Sequence, residues 1–155
     1  MPKIAGVNLL GALLGGVAIY FVGFIWYGIL FTEPWMQSNG MFFGDEAKTT
    51  LQWLTADGLQ TVDYSGEPEP MVLLSGFVVS IVLSLGLGWL IHKSGTKTRT
   101  DAIALAVGVG VLVGLPLMAY DPVYTPFGTL TGLLVDGGHV LASFVAGAAV
   151  LSFFD

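Results

Sequence analysis

Four stretches of this 155-residue chain, Ile4–Phe31, Met71–His92, Ala102–Tyr120 and Gly128–Phe154, contain no Lys or Arg and a single carboxylate, Asp136. The hydrocarbon core of a bilayer, about 30 Å thick, is crossed by roughly 20 apolar residues in a helix, and each run is about that long. The runs are continuously apolar instead of alternating at period two, so they predict helices and not the strands of a barrel. The fold class that follows is an all-α integral membrane protein with four transmembrane helices, in one membrane domain over residues 1–155. Composition agrees, since 54% of the side chains are hydrophobic and only 10% charged, where soluble domains carry about 25% charged residues. Lys3 precedes the first run, but that run exceeds the length of a signal-peptide core and is read as a retained helix. Cysteine is absent, which excludes disulfides, thiolate metal sites and a Cys nucleophile.

Charge placement predicts orientation, because short loops rich in Lys and Arg stay on the cytoplasmic side. Lys3, Lys93, Lys97 and Arg99 fall on one side of four crossings. The segment Thr32–Pro70 carries Glu33, Asp45, Glu46, Asp57, Asp63, Glu67 and Glu69 against Lys48 alone, a balance of −6 that equals the net charge of the whole chain. That segment is expected to be extracytoplasmic and both termini cytoplasmic. The acidity therefore belongs to one loop, and no basic surface is present for nucleic acid. Trp26, Tyr27 and Trp35 near the outer end of helix one, Tyr120 and Tyr124 near that of helix three, and Trp89 near the inner end of helix two fit interfacial aromatic belts.

A 39-residue structureless connection is unusual, so the outer segment should have structure of its own. Thr50–Thr55 and Leu59–Tyr64 are rich in β-branched and aromatic residues and flank Ala56-Asp57-Gly58, which predicts a β-hairpin with Gly58 supplying a positive φ. A short interfacial helix through Trp53 is the alternative. Ser65–Pro70 reads as a linker, and Pro70 suits the entry to helix two. Thr100 or Asp101 can cap helix three. Asp121-Pro122 and Pro126 are expected to break the chain before helix four, and Gly114-Leu115-Pro116 can interrupt helix three.

All four runs repeat small residues at every fourth position. Helix one has Gly11 and Gly15; helix two has Gly76, Ser80, Ser84 and Gly88; helix three has Ala102, Ala106, Gly110 and Gly114; helix four has Gly128 and Gly132, then Ser143 and Gly147. Helices in lipid cannot associate through the hydrophobic effect, and small faces that let backbones approach are the usual substitute. The stripes serve contacts inside one protomer or between protomers; spacing alone does not separate the two.

The close of helix one, Phe21-Val-Gly-Phe-Ile-Trp-Tyr-Gly-Ile-Leu-Phe31 followed by Trp35-Met36, resembles the small bacterial membrane proteins grouped as domain of unknown function 1761. The matching residues are Gly23, Trp26, Tyr27, Phe31, Trp35 and Met36, and Leu133-Leu-Val-Asp-Gly-Gly-His-Val-Leu141 is similar to that family's last helix. The resemblance covers nearly the whole chain and implies a four-helix fold in a bacterial inner membrane, with no activity attached. The outer segment is longer than that family's usual connection.

Asp136 and His139 carry most of the chemical interest, because ionisable groups inside a membrane helix are costly and face a partner, a cavity or a pathway. Three residues apart, they share a helix face. Counted from Gly128 at about 1.5 Å per residue, they lie roughly 12–17 Å from the outer end, near the midplane. Two readings stay open: a proton, ion or ligand site, or a pair that bonds to itself or to Asn8, Ser80 or Ser84 and locks the bundle. One Asp and one His fall short of the four ligands of a structural zinc site, so no metal is expected. His92 and Asp121 read as interfacial and loop residues. No phosphate loop, catalytic triad or paired catalytic carboxylates are present, which argues against an enzyme and against a cofactor other than bound lipid. The expected function is a structural or accessory membrane protein that assembles laterally through its small-residue faces, as a homo-oligomer or in a larger complex, with membrane lipids as its other partners. The alternative is a small transporter or channel built on Asp136 and His139.

Overall fold

The structure, a computed structural model, describes residues 2–64, 66, 69–125 and 128–154. In chain order it contains a small hairpin of β1 (Lys3–Ile4) and β2 (Val7–Asn8), a long helix α1 (Leu9–Leu30), a short helix α2 (Thr32–Ser38), and strands β3 (Met41–Phe43), β4 (Thr50–Thr55) and β5 (Gly58–Asp63). Helices α3 (Pro70–Ser94), α4 (Arg99–Tyr124) and α5 (Leu130–Leu151) complete it. The four long helices are long and apolar enough to cross a membrane.

Helix α1 begins at Leu9, five residues later than the hydropathy of the first run suggested. Ala5 and Gly6 both take positive φ, 51° and 89°, the geometry of a tight two-residue hairpin turn, so Lys3 pairs with Asn8 and Ile4 with Val7. The Asn8 side chain then accepts the backbone N–H groups of Leu10 at 3.0 Å and Gly11 at 3.4 Å, capping the helix. Such a cap is worth about 1 kcal/mol. Pro70 opens α3 at its first turn, as the sequence indicates. The cap of α4 is Thr98, whose hydroxyl accepts from Asp101 N–H at 3.1 Å, in place of the expected Thr100 or Asp101; Asp101 lies in the first turn, where its charge suits the helix dipole.

Two expected interruptions are absorbed. Pro116 has no N–H to give the helix, and the preceding residues Gly110–Gly114 widen into a π turn whose close, Leu115 N–H to Gly110 O, skips one carbonyl. Pro122 lies within the helical turn Tyr120–Tyr124 and does not end α4. Pro126 falls outside the described residues, as do Ser65, Glu67 and Pro68 of the expected linker.

Helix α5 is the hub, packing against α1, α3 and α4, while α1 also packs along α3, and α3 and α4 meet only sparingly. Small residues set these approaches from within the chain. A Cβ added at Gly16 would lie 2.9 Å from the Ile81 backbone, at Gly88 2.8 Å from Val7, at Gly110 2.6 Å from Leu141, and at Gly11 2.8 Å from Phe154. Gly15 receives the Ser84 hydroxyl, Gly114 lies against Val140, and Gly132 against Ser38 of α2. Gly128 lies against the backbone at Asp121 and Pro122, whereas Gly76 makes only an ordinary contact with Tyr20. The core of buried residues sits toward the end that carries β1 and β2, with Val7, Ala12, Leu87, Ile91, Ala102, Ala106, Ala148 and Leu151 in one cluster. Leu112, Leu117, Met71 and Leu134 remain exposed around the outside.

At the opposite end the chain forms a three-stranded antiparallel meander in the order β3-β4-β5. The expected hairpin is present, but its loop is the two residues Ala56 and Asp57 and not the three of Ala56-Asp57-Gly58, because Gly58, at φ 106°, already pairs with Thr55. Trp53 is therefore in a strand, and the interfacial-helix alternative is ruled out. Strand β3, paired through Met41 to Trp53, and helix α2 were not anticipated from the sequence.

Candidate functional site

The last turns of α1 widen into a π turn over Trp26–Leu30, closed by Phe31 N–H bonding Trp26 O at 2.8 Å. At this point α1 lies against the first turns of α5, where Gly138 leaves the backbone bare. The Trp26 ring occupies that space: a Cβ on Gly138 would lie 2.7 Å from it. Trp26 Nε1 donates to Val135 O at 2.9 Å, and the neighbouring Tyr27 hydroxyl donates to Asp136 Oδ1 at 2.8 Å. Two adjacent residues of α1 thus grip two adjacent residues of α5, one through the backbone and one through a carboxylate.

Aromatic rings enclose the grip. The Tyr27 ring lies 4.6 Å from the His139 ring and 5.3 Å from Trp35 of α2, and the Trp26 ring packs on Phe31 at 4.7 Å. His139 Nε2 is 3.1 Å from the Ser143 hydroxyl, one turn further along the same helix. Gly23 faces this nitrogen, and a Cβ there would approach it to 3.2 Å. All these rings are partly buried and Ser143 is fully so.

The structure therefore places Asp136 and His139 on one face of α5 as the spacing indicates, but with different partners. Asn8 caps the far end of α1, 19 residues from Tyr27, or about 28 Å along a helix. Ser80 donates to Gly76 O at 2.9 Å within α3. Ser84 is wholly buried against Gly15, and its hydroxyl has no hydrogen-bond partner among the described residues. None of the three is hydrogen-bonded to the pair; Tyr27 and Ser143 take those roles. Trp26 and Tyr27, assigned by sequence to an interfacial belt, turn inward onto α5, and Trp35 packs on the Tyr27 ring, whereas Trp89 and Tyr120 are exposed near helix ends. Depth shifts as well. With α5 starting at Leu130, Asp136 lies about 9 Å and His139 about 14 Å from its end, closer to the sheet-bearing end than a start at Gly128 implies.

A signal for Tyr27 was present. A carboxylate in an apolar helix needs a donor, and Tyr27, three residues from the end of α1, is a hydroxyl donor in the same half of the span as Asp136, six residues from the start of α5. Chemically the arrangement comprises two separate pairs, Tyr27 with Asp136 and His139 with Ser143, joined by ring contact. Asp136 and His139 are two potential metal ligands, and among the described residues no group of three His, Cys, Asp or Glu gathers.

Comparison with known families accounts for nearly all of the chain. The model of the family described as protein of unknown function DUF1761 matches residues 10–152, and the chain belongs to that family. No curated protein and no solved structure matches it.

Proposed function

We propose that this member of the family is an integral membrane protein of structural or accessory type, in which the Trp26–Tyr27 grip on Val135 and Asp136 locks the first spanning helix to the last and holds the sheet-bearing segment over one end of the bundle. The observation that carries this reading is the pairing inside the span. The Asp136 carboxylate is engaged by Tyr27 and His139 by Ser143, so the polar groups close on neighbours instead of joining into a path. Four of the five basic residues, Lys3, Lys93, Lys97 and Arg99, lie at the end opposite the acidic sheet, which favours both termini in the cytoplasm of a bacterial cell.

Lateral partners would use different surfaces from those first expected. The small faces at Gly11, Gly15, Gly88, Gly110, Gly114 and Gly132 are filled from within the chain, while Gly28, Gly86 and Gly108 have nothing within 4 Å. A homo-oligomer or larger complex is therefore proposed to form through the outward faces or the acidic sheet. The decisive experiment combines stability with flux. Asp136→Asn should keep the fold and leave a proteoliposome pH gradient intact, whereas Asp136→Leu should lower the melting temperature. Parent protein that dissipates the gradient, with Asp136→Asn abolishing that flux and leaving the fold unchanged, would replace the structural reading with a conducting one.

A further inference from the structure

We propose that the recess between the end of α1, helix α2 and the Gly44–Thr49 loop seats one zwitterionic, amine-bearing phospholipid. The proposal rests on the reading of the chain as membrane-spanning. The recess has an apolar floor and a charged lip. Its floor is made by Ile29 and Leu30, 65% and 58% exposed on the outer side of α1, together with Pro34 and Phe43. The lip consists of Thr32, Glu33 and Lys48. Thr32 is already committed, since its hydroxyl donates to Tyr27 O at 2.7 Å. Glu33 and Lys48 are left, paired with each other and each about half exposed, and they form the only ion pair among the described residues.

Three observations point to a lipid. The floor continues the outward apolar face of a spanning helix at the level where that helix ends, which is where acyl chains meet headgroups. Lys48 lies with its ammonium 5.2 Å from the Phe43 ring centre, an aliphatic stem on an apolar surface with the charge at the rim, as in side chains that reach from hydrocarbon toward phosphate. Its backbone holds φ at 56°, a conformation that glycine or asparagine adopts more readily, so the position is occupied by a lysine at a conformational cost.

Charge selects the headgroup. Thr32–Pro70 carries seven carboxylates and Lys48 as its sole base, so the net charge of the segment, with Glu33 on the lip itself, disfavours an anionic headgroup. A headgroup bearing both a phosphate and a primary amine answers both members of the lip, phosphate toward Lys48 and amine toward Glu33. Phosphatidylglycerol offers no amine, and the quaternary nitrogen of phosphatidylcholine has no hydrogen to donate.

The test reconstitutes the full chain in phosphatidylcholine nanodiscs doped with phosphatidylethanolamine or phosphatidylglycerol that carries a photoactivatable diazirine in the acyl chain, and maps adducts by mass spectrometry. Leu112, 77% exposed on α4, reports ordinary lipid contact. Phosphatidylethanolamine adducts on the Ile29–Phe43 stretch should exceed those at Leu112. Lys48→Asn, which tolerates the local backbone, should reduce them about tenfold, the effect of losing one charge-assisted hydrogen bond, with Leu112 unchanged. Lys48→Gly should do the same, and Glu33→Gln should erase the preference over phosphatidylglycerol. Equal labelling of recess and Leu112, or recess labelling that survives both Lys48 variants, would overturn the lipid seat. Absence of adducts at Leu112 as well would overturn the spanning reading instead.

Discussion

Helices α1 and α5 lie side by side over their whole length, yet the two halves of their contact are built on different physics. Toward the end that carries β1 and β2 the contact is a matter of distance: Gly11 lets Phe154, just past the end of α5, approach, a Cβ on Gly15 would lie 3.4 Å from Leu151, and Gly147 receives Ile19, with a virtual Cβ 2.9 Å from it. Toward the sheet the contact is a matter of direction, with Trp26 and Tyr27 each aiming one hydrogen at one oxygen. Distance-based packing tolerates sliding and fails when atoms are added. Directional bonding fixes register and fails when a donor or acceptor is removed. One helix pair therefore has a half that sets how close the helices come and a half that sets how they are aligned.

The largest effect should come from adding atoms to the first half. Gly147→Leu forces a side chain into Ile19 of α1 and should cost about 3 kcal/mol, read as a fall in melting temperature in detergent, while Gly86→Leu, which meets open space, should cost far less. Equal losses in the two variants would remove the distinction between an occupied and an open glycine. Next, Asp136→Leu should cost about 2 kcal/mol by stranding the Tyr27 hydroxyl, and Tyr27→Phe should cost a similar amount by leaving the carboxylate without its donor. Asp136→Asn should cost less than either, since an amide oxygen still accepts the bond. Trp26→Phe should cost about 1 kcal/mol, one neutral hydrogen bond. A double-mutant cycle with Tyr27→Phe should give a coupling above the error of the cycle if the two bonds fix one alignment, and strict additivity would show that they act independently.

Much of this architecture is legible in the sequence, because bilayer thickness and helix rise together dictate the length of an apolar run. The predicted and observed long helices agree to within a few residues at most ends. The start of α1 is the exception: Ile4 and Val7 are as apolar as the helix that follows, and only the Gly6 turn and the Asn8 cap separate them from it. The β4–β5 hairpin was readable from Ala56-Asp57-Gly58, whereas β3 was not, since three residues, Met41, Phe42 and Phe43, carry no period. Asp136 and His139 stood out as ionisable residues in an apolar run. Their partners did not, because Tyr27 and Asp136 are 109 residues apart and aromatic residues near a helix end have a simpler explanation as a belt. The small-residue stripes were visible, but which surface fills each glycine depends on rotation about the helix axis, and spacing does not specify that.

The smallest expected effect lies outside the span, in the loop before β4. Asp45 accepts hydrogen bonds from the Thr50 and Thr49 hydroxyls at 2.5 and 2.9 Å and from Thr49 N–H at 2.9 Å. These bonds, the Thr50 hydroxyl foremost, hold its carboxyl at about 2, below an ordinary value of 3.8. Because the folded value is the lower one, the stabilisation is present in full above pH 4 and is lost as pH falls through about 2. The protection of the Thr49 amide, its exchange rate measured against the intrinsic rate at each pH, should fall over that window in the parent and be lower at neutral pH in Asp45→Asn. A flat profile in the parent would show that the loop is held by the strands alone.

The separation of 109 residues between Tyr27 and Asp136 also has a meaning in time. At about 5–20 residues per second, roughly 5–20 s pass between synthesis of the first spanning helix and of the last. Once Pro70–Ser94 has been made, α1 can dock on α3, but the donors of Trp26 and Tyr27 still wait for acceptors that have not yet been made. The grip therefore closes last, and a nascent chain stalled before α5 would display two aromatic donors to whatever machinery surveys unfinished membrane proteins.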